Sequence, residues 1–485
     1  MPTPPPLPND IPLVVDLDGT LIKTDLLVES ANRLVTRQPL RSLSMLGWLR
    51  QGRAALKAGL ADAVELDAAS LPYHEPLLAW LREQHAGGRR IVLATASHRI
   101  LADQVARHLG LFEAVLASDG DVNLKAGRKR DLLVARYGDK GFDYIGNDSA
   151  DLAVWPAART AHIVSDSAAL VTRARAAAEV DKVWPADQPP AWKALWRALR
   201  PHQWLKNALI FVPLLASHGY GHPDMVMQSL MAFIAFGLAA SSVYIGNDLI
   251  DIADDRHHPR KRRRPFAAGD VSLLHGWCLA PLLAVAAFAL SATLLAPAFT
   301  ATLAIYLGLT LAYSLRLKQV ALLDVMLLAG LYTLRIIAGT AALQLPLSFW
   351  LLSFSVFIFC SLAFVKRFSE LADARQDGRE GPLRGRGYHA SDLEIVSSFG
   401  SATGYIAVLV LALYIQDPHT AELYASPKFI WLACPLLLYW ISRTWLIAHR
   451  GQMHDDPIVF ALTDRVSWVI GVCVVGVFAL ATLVP

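Results

Sequence analysis

From Arg200 onward the chain is dominated by uncharged stretches long enough to cross a bilayer. Val271 to Leu315 runs for 45 residues without Asp, Glu, Lys or Arg, with one histidine, His275. A helix needs about 20 residues to span the hydrocarbon core, so this run reads as two helices turning near Ala296–Pro297. Val226–Asn247, Ile336–Val365, Ile395–Gln416, Phe429–Ser442 and Val466–Pro485 continue the series. With Leu205–Ser217 and Leu322–Thr340, which polar groups interrupt, the expectation is about nine transmembrane helices. The balance of 54% hydrophobic to 18% charged residues excludes a fully soluble or disordered chain, since soluble domains carry roughly 25% charged residues. Cys278, Cys360, Cys434 and Cys473 all lie in apolar runs, so no disulfide framework or thiolate zinc site is legible.

Before Arg200 the pattern changes to short β-type runs alternating with charged helical stretches, as in a soluble α/β protein. The expected organisation is a tail at 1–10, an α/β domain over 11–180, a linker over 181–196 and an all-α transmembrane bundle over 197–485. Pro185, Pro189 and Pro190 mark the linker. The proline-rich tail has neither the basic nor the apolar region of a signal peptide. Arg256–Arg264 holds six Arg or Lys in nine residues, and Lys366–Arg386 is charged and glycine-rich. Basic loops stay inside, which places both loops and the head on the cytoplasmic side of the inner membrane. The first run reads either as a topology signal alone or, directly behind an acidic motif, as part of a site.

In the head, a β run over Leu13–Val15 ends in Asp16-Leu17-Asp18-Gly19-Thr20. Two carboxylates at a strand end can hold Mg²⁺, and one can attack phosphorus while the other handles protons. A second strand, Ile91–Ala94, ends in the hydroxyls of Thr95 and Ser97. A basic stretch from Asn123 through Lys125 to Lys129 opens a helix, and a further strand delivers Asn147, Asp148 and Asp151. In an open parallel sheet such strand ends meet in one crevice. The combination resembles the haloacid dehalogenase (HAD) phosphatases over about residues 10–175. The resemblance implies Asp16 as nucleophile, Asp18 as acid/base, Thr95 as phosphate ligand and Lys129, ahead of Lys125, as the helix-opening lysine. It also implies Asp16, Asp18, Asp151 and either Asp148 or Asn147 around Mg²⁺, the usual Gly-Asp being Gly146-Asn147 here. A helical cap is expected at about residues 24–90.

In the membrane body, Asn247-Asp248-Leu249-Ile250-Asp251-Ile252-Ala253-Asp254-Asp255-Arg256 follows an apolar helix. Asp248, Asp251 and Asp255 stand at i, i+3 and i+7 and share one helical face. Clustered carboxylates at a membrane helix end are costly without a cation, and Mg²⁺ shared with substrate phosphates suits them. The motif, with Arg200-Pro201-His202-Gln203-Trp204 before it and Arg264-Pro265 after it, resembles the UbiA-type intramembrane prenyltransferases over about residues 197–485. Their second motif normally carries two aspartates. Here Tyr313 and Lys318 lead to Asp324 alone, with Leu328 four residues on, Arg335 in the same apolar helix and Lys366-Arg367 after the next span. Arg335 and Asp324 read either as site residues or as a packing ion pair.

Lys206-Asn207, the basic tail to Arg264, Tyr313–Lys318 and Lys366–Leu371 make the chain similar to the polyprenyl-phosphate phosphoribosyltransferases, which include decaprenyl-phosphate enzymes of cell-wall synthesis. The resemblance implies phosphoribosyl diphosphate as donor, a polyprenyl phosphate lipid as acceptor, and Mg²⁺ in each of two active sites. Asp248, Asp251 and Asp255 would hold the metal; Lys206, Asn207, Asn247, Arg256, Lys261, Arg264, Tyr313, Lys318, Asp324, Arg335, Lys366 and Arg367 would bind substrate. No nucleic-acid partner is expected, and a homo-oligomer is compatible with the chain. The expected activity is transfer of 5-phosphoribose to the lipid followed by removal of the 5-phosphate in the head. The alternatives are prenyl transfer to an aromatic acceptor with a regulatory head, and a transporter.

Overall fold

The computed structural model describes residues 11–119, 124–376, 378, 381, 386–417, 423–453 and 457–484. The tail at 1–10, Asn123 and parts of the 366–386 loop lie outside the described residues.

The head is built on six parallel strands: β1 (Leu13–Val15), β2 (Ile91–His98), β3 (Ala114–Ser118), β4 (Asp143–Gly146), β5 (Ala161–Val164) and β6 (Val180–Trp184), ordered β3-β2-β1-β4-β5-β6. Leu13 pairs with Ile91 on one side and with Asp143 on the other, so β1 is central. Both faces of the sheet are covered, as a parallel sheet requires. Leu13 and Val15 join one apolar cluster and Val14 another, the alternation expected of a strand. The order reverses at β1/β4, and that is where the carboxyl ends of the strands open a crevice.

The chain leaves β1 through a tight turn at Gly19, whose φ is +74°. A Cβ there would stand 2.4 Å from Asn147 Nδ2, so a side chain would displace Asn147 as well as strain the left-handed backbone that favours glycine. Four helices follow: α1 (Leu26–Arg37), α2 (Pro39–Ser42), α3 (Ser44–Gln51) and α4 (Arg53–Ala63). Asp25 caps α1 by accepting from the amides of Leu27 and Val28. Then α5 (Glu75–Ala86) returns to the sheet, burying Leu77, Leu78 and Leu81. The helices α6 (Arg99–Leu109), α7 (Gly127–Tyr137), α8 (Ala168–Ala177) and α9 (Ala191–Leu199) complete this part. Much of the stretch read as a linker is therefore ordered. β6 closes the sheet, and Trp184 packs 5.0 Å, ring centre to ring centre, from Trp80.

Beyond Arg200 come α10 (Val212–Ala216), α11 (Pro223–Ile250), α12 (Ile252–His257), α13 (Leu273–Leu294), α14 (Pro297–Leu315), α15 (Leu323–Ala342), α16 (Phe349–Gln376), α17 (Leu393–Tyr414), α18 (Ala433–His449), α19 (Pro457–Thr463) and α20 (Arg465–Leu483). Among the described residues, eight helices have the length and apolarity to cross a membrane: α11, α13–α18 and α20. The ninth expected span, Leu205–Ser217, takes another form. Pro201–Phe211 is a 3₁₀ helix followed by the short α10, with Pro213 at its start. Proline suits the first turn of an α-helix and kinks or breaks its interior, so Pro213 marks the start of α10, and Asn207 commits its side chain to Arg335.

Two compact units partition these elements. One takes the chain through Arg200 together with Tyr244–Pro281; the other takes Pro201–Val243 and Leu282–Pro485. The aspartate-rich segment thus belongs to the same unit as the head sheet.

Candidate functional site

The carboxyl end of β1 places Asp16 in the crevice. Its Oδ1 accepts a hydrogen bond from Lys129 Nζ at 2.8 Å, and Lys129 also donates to Tyr144 Oη at 2.9 Å. Tyr144 donates onward to Asp151 Oδ1 at 2.7 Å. Among the described residues, Asp16 Oδ2 accepts no hydrogen bond. Lys129 is buried in the first turn of α7, whereas Lys125 precedes the helix and is exposed. Asp18 Oδ2 accepts from Ser97 Oγ (2.6 Å) and Thr95 Oγ1 (3.2 Å), and Oδ1 accepts from the amide of Leu26 (2.9 Å). The ladder between β2 and β3 slips between Ala94 and His98, the stretch from which Thr95 and Ser97 reach Asp18.

Burial, reinforced by the charges of Asp151 and Asp18 and opposed by Lys129, pushes Asp16 up to about 7. Burial and the charge of Asp25 push Asp18 up to about 6, against the Ser97, Leu26 and Thr95 hydrogen bonds. Burial works against the Lys129 ammonium, but Asp16 and Asp151 outweigh it and hold its pKa above the ordinary value. Three carboxylates thus face one ammonium. Such a set favours a further cation and keeps a proton near neutral pH when none is bound.

The last head motif differs from the expectation. Asp148 is exposed and accepts from the amide and hydroxyl of Ser149, at 2.5 and 3.0 Å. It caps a 3₁₀ turn instead of facing Asp16 through those contacts. Asp151 Oδ2 accepts from the amides of Asn147 and Asp148 at 2.9 and 3.0 Å. With Tyr144 on its other oxygen, its hydrogen bonds hold the turn that presents Asn147. Asn147 Oδ1 accepts from Thr20. Ser97, Tyr144, Thr20 and Asn147 complete the crevice; of these the hydroxyl-rich end of β2 pointed to Ser97 and the Gly146-Asn147 motif pointed to Asn147, as the alternative to Asp148.

Around the aspartate-rich segment, Asp248 is buried and pairs with Arg200 and, at 3.2 Å, with Arg264. Arg264 Nη1 also reaches Asp255 Oδ2 at 2.6 Å, so one guanidinium links the two acids. Burial, opposed by Arg264, raises the Asp255 carboxyl above its ordinary value. The backbone hydrogen bonds Asp251 N–Asn247 O and Asp255 N–Asp251 O continue the helical path, but α11 ends at Ile250 and Asp251 stands between it and α12. Among the described residues no three acidic or His/Cys side chains form a ready-made metal cluster; the expected trio is instead a pair neutralised by arginine. Asp248 Oδ2 is nonetheless buried without a hydrogen-bond partner, an acceptor that fits a hard cation.

Arg256 departs from its expected substrate contact. It makes a buried two-pronged ion pair with Glu29 of α1, at 2.7 and 3.1 Å, and donates to Ala267 O. Asn32, seven residues past the cap Asp25 on the same helix, donates to Leu249 O at 3.1 Å and accepts from Trp277 Nε1 at 2.9 Å. Lys261 is exposed and Asn247 half-buried.

In the other unit, Asp324 and Arg367 form an ion pair, Nε to Oδ2 at 2.5 Å, with both side chains buried. Tyr388 donates to Asp324 at 2.8 Å, Arg367 also pairs with Glu370, and Tyr313 accepts from Arg367 and Arg386 at 3.4 and 3.0 Å. Lys206, Lys318 and Lys366 are half-buried. The packing pair Arg335–Asp324 does not form. Arg335 instead donates to Asn207 Oδ1 at 2.9 Å and lies over the rings of Tyr306, Tyr332 and Phe236, where the chain itself fills the role offered to substrate. Glu29, Arg386 and Tyr388 join these clusters without any spacing signal in the sequence, whereas Arg200 and Glu370 stand inside the quoted motifs.

Eight apolar spans with an aspartate-rich helix end, joined to a parallel-sheet head bearing Asp16, Asp18, Thr95 and Lys129 in one crevice, define a multi-pass membrane enzyme with a hydrolase-like domain. Residues 208–481 match the UbiA prenyltransferase family and residues 13–154 match the haloacid dehalogenase-like hydrolases; the chain belongs to the UbiA prenyltransferase family. It is 40% identical to the uncharacterized protein y4nM of Sinorhizobium fredii over 97% of this chain and 91% of that one. It is 39% identical to the nodulation protein NoeC of Azorhizobium caulinodans, over 61% of this chain and 94% of the relative. It is also 33% identical to the decaprenyl-phosphate phosphoribosyltransferase of Mycolicibacterium smegmatis, over 59% of this chain and 92% of that one.

Proposed function

We propose that the chain transfers 5-phosphoribose from phosphoribosyl diphosphate to a polyprenyl phosphate of decaprenyl type, and that its head then removes the 5-phosphate. The observation that carries the reading is the likeness to the M. smegmatis phosphoribosyltransferase over nearly that protein's whole length. The arginines on Asp248 and Asp255 support it, because a donor with both a diphosphate and a 5-phosphate needs more cationic contact than a prenyl diphosphate. Arginine binds phosphate with two parallel donors.

In the first reaction the C1–O bond to diphosphate breaks and a lipid phosphate oxygen bonds to C1. The lipid phosphate is already anionic, so no general base is needed. Asp248 and Asp255 would hold Mg²⁺, which when bound would stabilise charge on the departing diphosphate. Arg264 and Arg200, which neutralise the acids, can turn to phosphate oxygens. In the second reaction an Asp16 oxygen attacks the 5-phosphate while Asp18, in its protonated form, gives a proton to the departing ribose oxygen. Water then hydrolyses the aspartyl-phosphate, with Asp18 taking its proton. Thr95 and Lys129 would bind phosphate oxygens, and Asp16, Asp18 and Asn147 suit a second Mg²⁺. Both sites and the loops that carry them are proposed to face the cytoplasm.

Purified protein supplied with phosphoribosyl diphosphate, polyprenyl phosphate and Mg²⁺ should yield polyprenyl-phosphoryl-ribose by mass spectrometry. No ribose in the lipid, with prenyl diphosphate consumed against an aromatic acceptor instead, would select prenyl transfer.

A further inference from the structure

The cap helices α3 and α4 pack as a hairpin on a small core of their own. Leu34, Leu60, Ala63 and Val64 are buried there, with Met45, Trp48 and Leu56 against them. Trp48 seats on Gly59, where a Cβ would lie 2.4 Å from the indole, so glycine lets the two helices close. That packing leaves the outer side of α2 and α3 uncovered. Leu40, Leu43, Leu46 and Leu49 are exposed at 86%, 66%, 64% and 56%. Four leucines outside a hairpin that already has its own core are not explained by folding of the head.

The charge in this stretch has one sign. Residues 33–57 contain Arg33, Arg37, Arg41, Arg50, Arg53 and Lys57 and no Asp or Glu. Arg37, Arg41, Arg50 and Arg53 are exposed. An exposed leucine ridge flanked only by cations is the composition of a segment that lies in a membrane interface, apolar side chains among acyl chains and guanidinium groups at anionic headgroups. Long basic side chains suit this because their stems are apolar and their heads reach the phosphates. The eight spans keep the chain at a bilayer at all times, so weak interfacial binding is amplified by tethering.

We infer that the α2–α3 arm of the cap is an interfacial anchor that docks on an anionic lipid bilayer. Its use to the enzyme rests on the proposed lipid-linked substrate: an anchored cap holds the head at the level where a lipid headgroup is found. The binding itself does not depend on that reading.

The test uses the full chain with Cys278, Cys360, Cys434 and Cys473 replaced by serine, carrying Leu43→Cys labelled with an environment-sensitive fluorophore. The protein is placed in nanodiscs containing phosphatidylglycerol, with and without doxyl-labelled lipid. Doxyl lipid should quench this label at least about two-fold more than one at Arg173→Cys on α8, as expected for insertion at the interface. Equal quenching at both positions overturns the inference, as does a label that responds only to protein concentration, which would indicate a second copy. Arg41→Gln/Arg50→Gln/Arg53→Gln, or nanodiscs of phosphatidylcholine alone, should at least halve the quenching; no change removes the anionic lipid as partner. Leu40→Ser/Leu43→Ser/Leu46→Ser/Leu49→Ser should slow release of phosphate from the lipid-linked substrate about ten-fold and leave p-nitrophenyl phosphate turnover unchanged. Equal slowing of both overturns the link to lipid. A head inactive on every phosphoribosyl lipid, with quenching intact, would instead count against the proposed function alone.

Discussion

The two acidic centres in the first unit are neutralised in opposite ways. In the head, Asp16, Asp18 and Asp151 share the single ammonium of Lys129. At the end of α11, Asp248 and Asp255 are met by two guanidinium groups, Arg200 and Arg264. The first centre keeps surplus negative charge, which adds to burial in raising the Asp16 carboxyl. The second is balanced, and a cation or substrate must compete with arginine. The difference suits the two tasks proposed for them: a carboxylate that acts as nucleophile must be able to leave its lysine, whereas a site for diphosphate gains from arginines that can transfer to phosphate.

The largest effect should come from Asp16→Asn. Removing the proposed nucleophile should cut release of the 5-phosphate by ~10³-fold or more, while ribosylation of the lipid continues and its phosphorylated product accumulates. Product analysis by mass spectrometry reads both steps. Loss of both reactions together would erase the division of labour between the centres.

Next is the contact by which α1 holds the aspartate-rich segment. Glu29→Ala leaves Arg256 buried without its carboxylate, and breaking a buried pair costs about 3–5 kcal/mol. Thermal unfolding should show the loss, and Glu29→Leu/Arg256→Met should recover much of it because neither charge then remains. Stability of Glu29→Ala equal to wild type would mean that the pair carries no weight.

Asp248→Asn should lower ribosylation by about 10²–10³-fold, the scale of one lost group that stabilises transition-state charge, and leave p-nitrophenyl phosphate turnover in the head unchanged. Retained ribosylation would break the proposal at the membrane centre.

How much of this could be read from residues alone depends on distance along the chain. Asp16, Asp18 and Thr95 were legible because each stands where an apolar β run stops, and parallel pairing brings such ends together. The expectation of about nine helices agrees with the eight long spans among the described residues; at 205–217, Pro213 and the Asn207–Arg335 contact accompany a 3₁₀ stretch in place of a long helix. The sequence put Lys129 ahead of Lys125 without settling the choice, because the answer depends on where α7 begins; of the two, the helical Lys129 reaches Asp16. Asp148 looked equivalent to its neighbours until the 3₁₀ turn gave it to Ser149. Arg256 looked like part of a basic substrate loop, yet its partner is 227 residues away. Long-range pairings of that kind leave no period or motif behind.

The smallest effect concerns a group that the head keeps neutral, in contrast to both ionised centres. His162 on β5 is buried between Trp80 and Trp184, its ring nitrogens without hydrogen-bond partners, and burial lowers its pKa from the usual 6.5 to about 4. A histidine with a depressed folded pKa binds fewer protons folded than unfolded. Stability from keeping it neutral is therefore complete above about pH 6.5 and declines as pH falls toward 4, by up to roughly 3 kcal/mol. His162→Phe removes the titrating group while keeping an aromatic ring against the two tryptophans. Urea midpoints of wild type, followed by tryptophan emission between pH 7 and 4.5, should fall more steeply than those of the variant. Parallel slopes would assign the acid sensitivity to the carboxylates, and the head would then resemble the arginine-balanced centre in depending on ionised pairs alone.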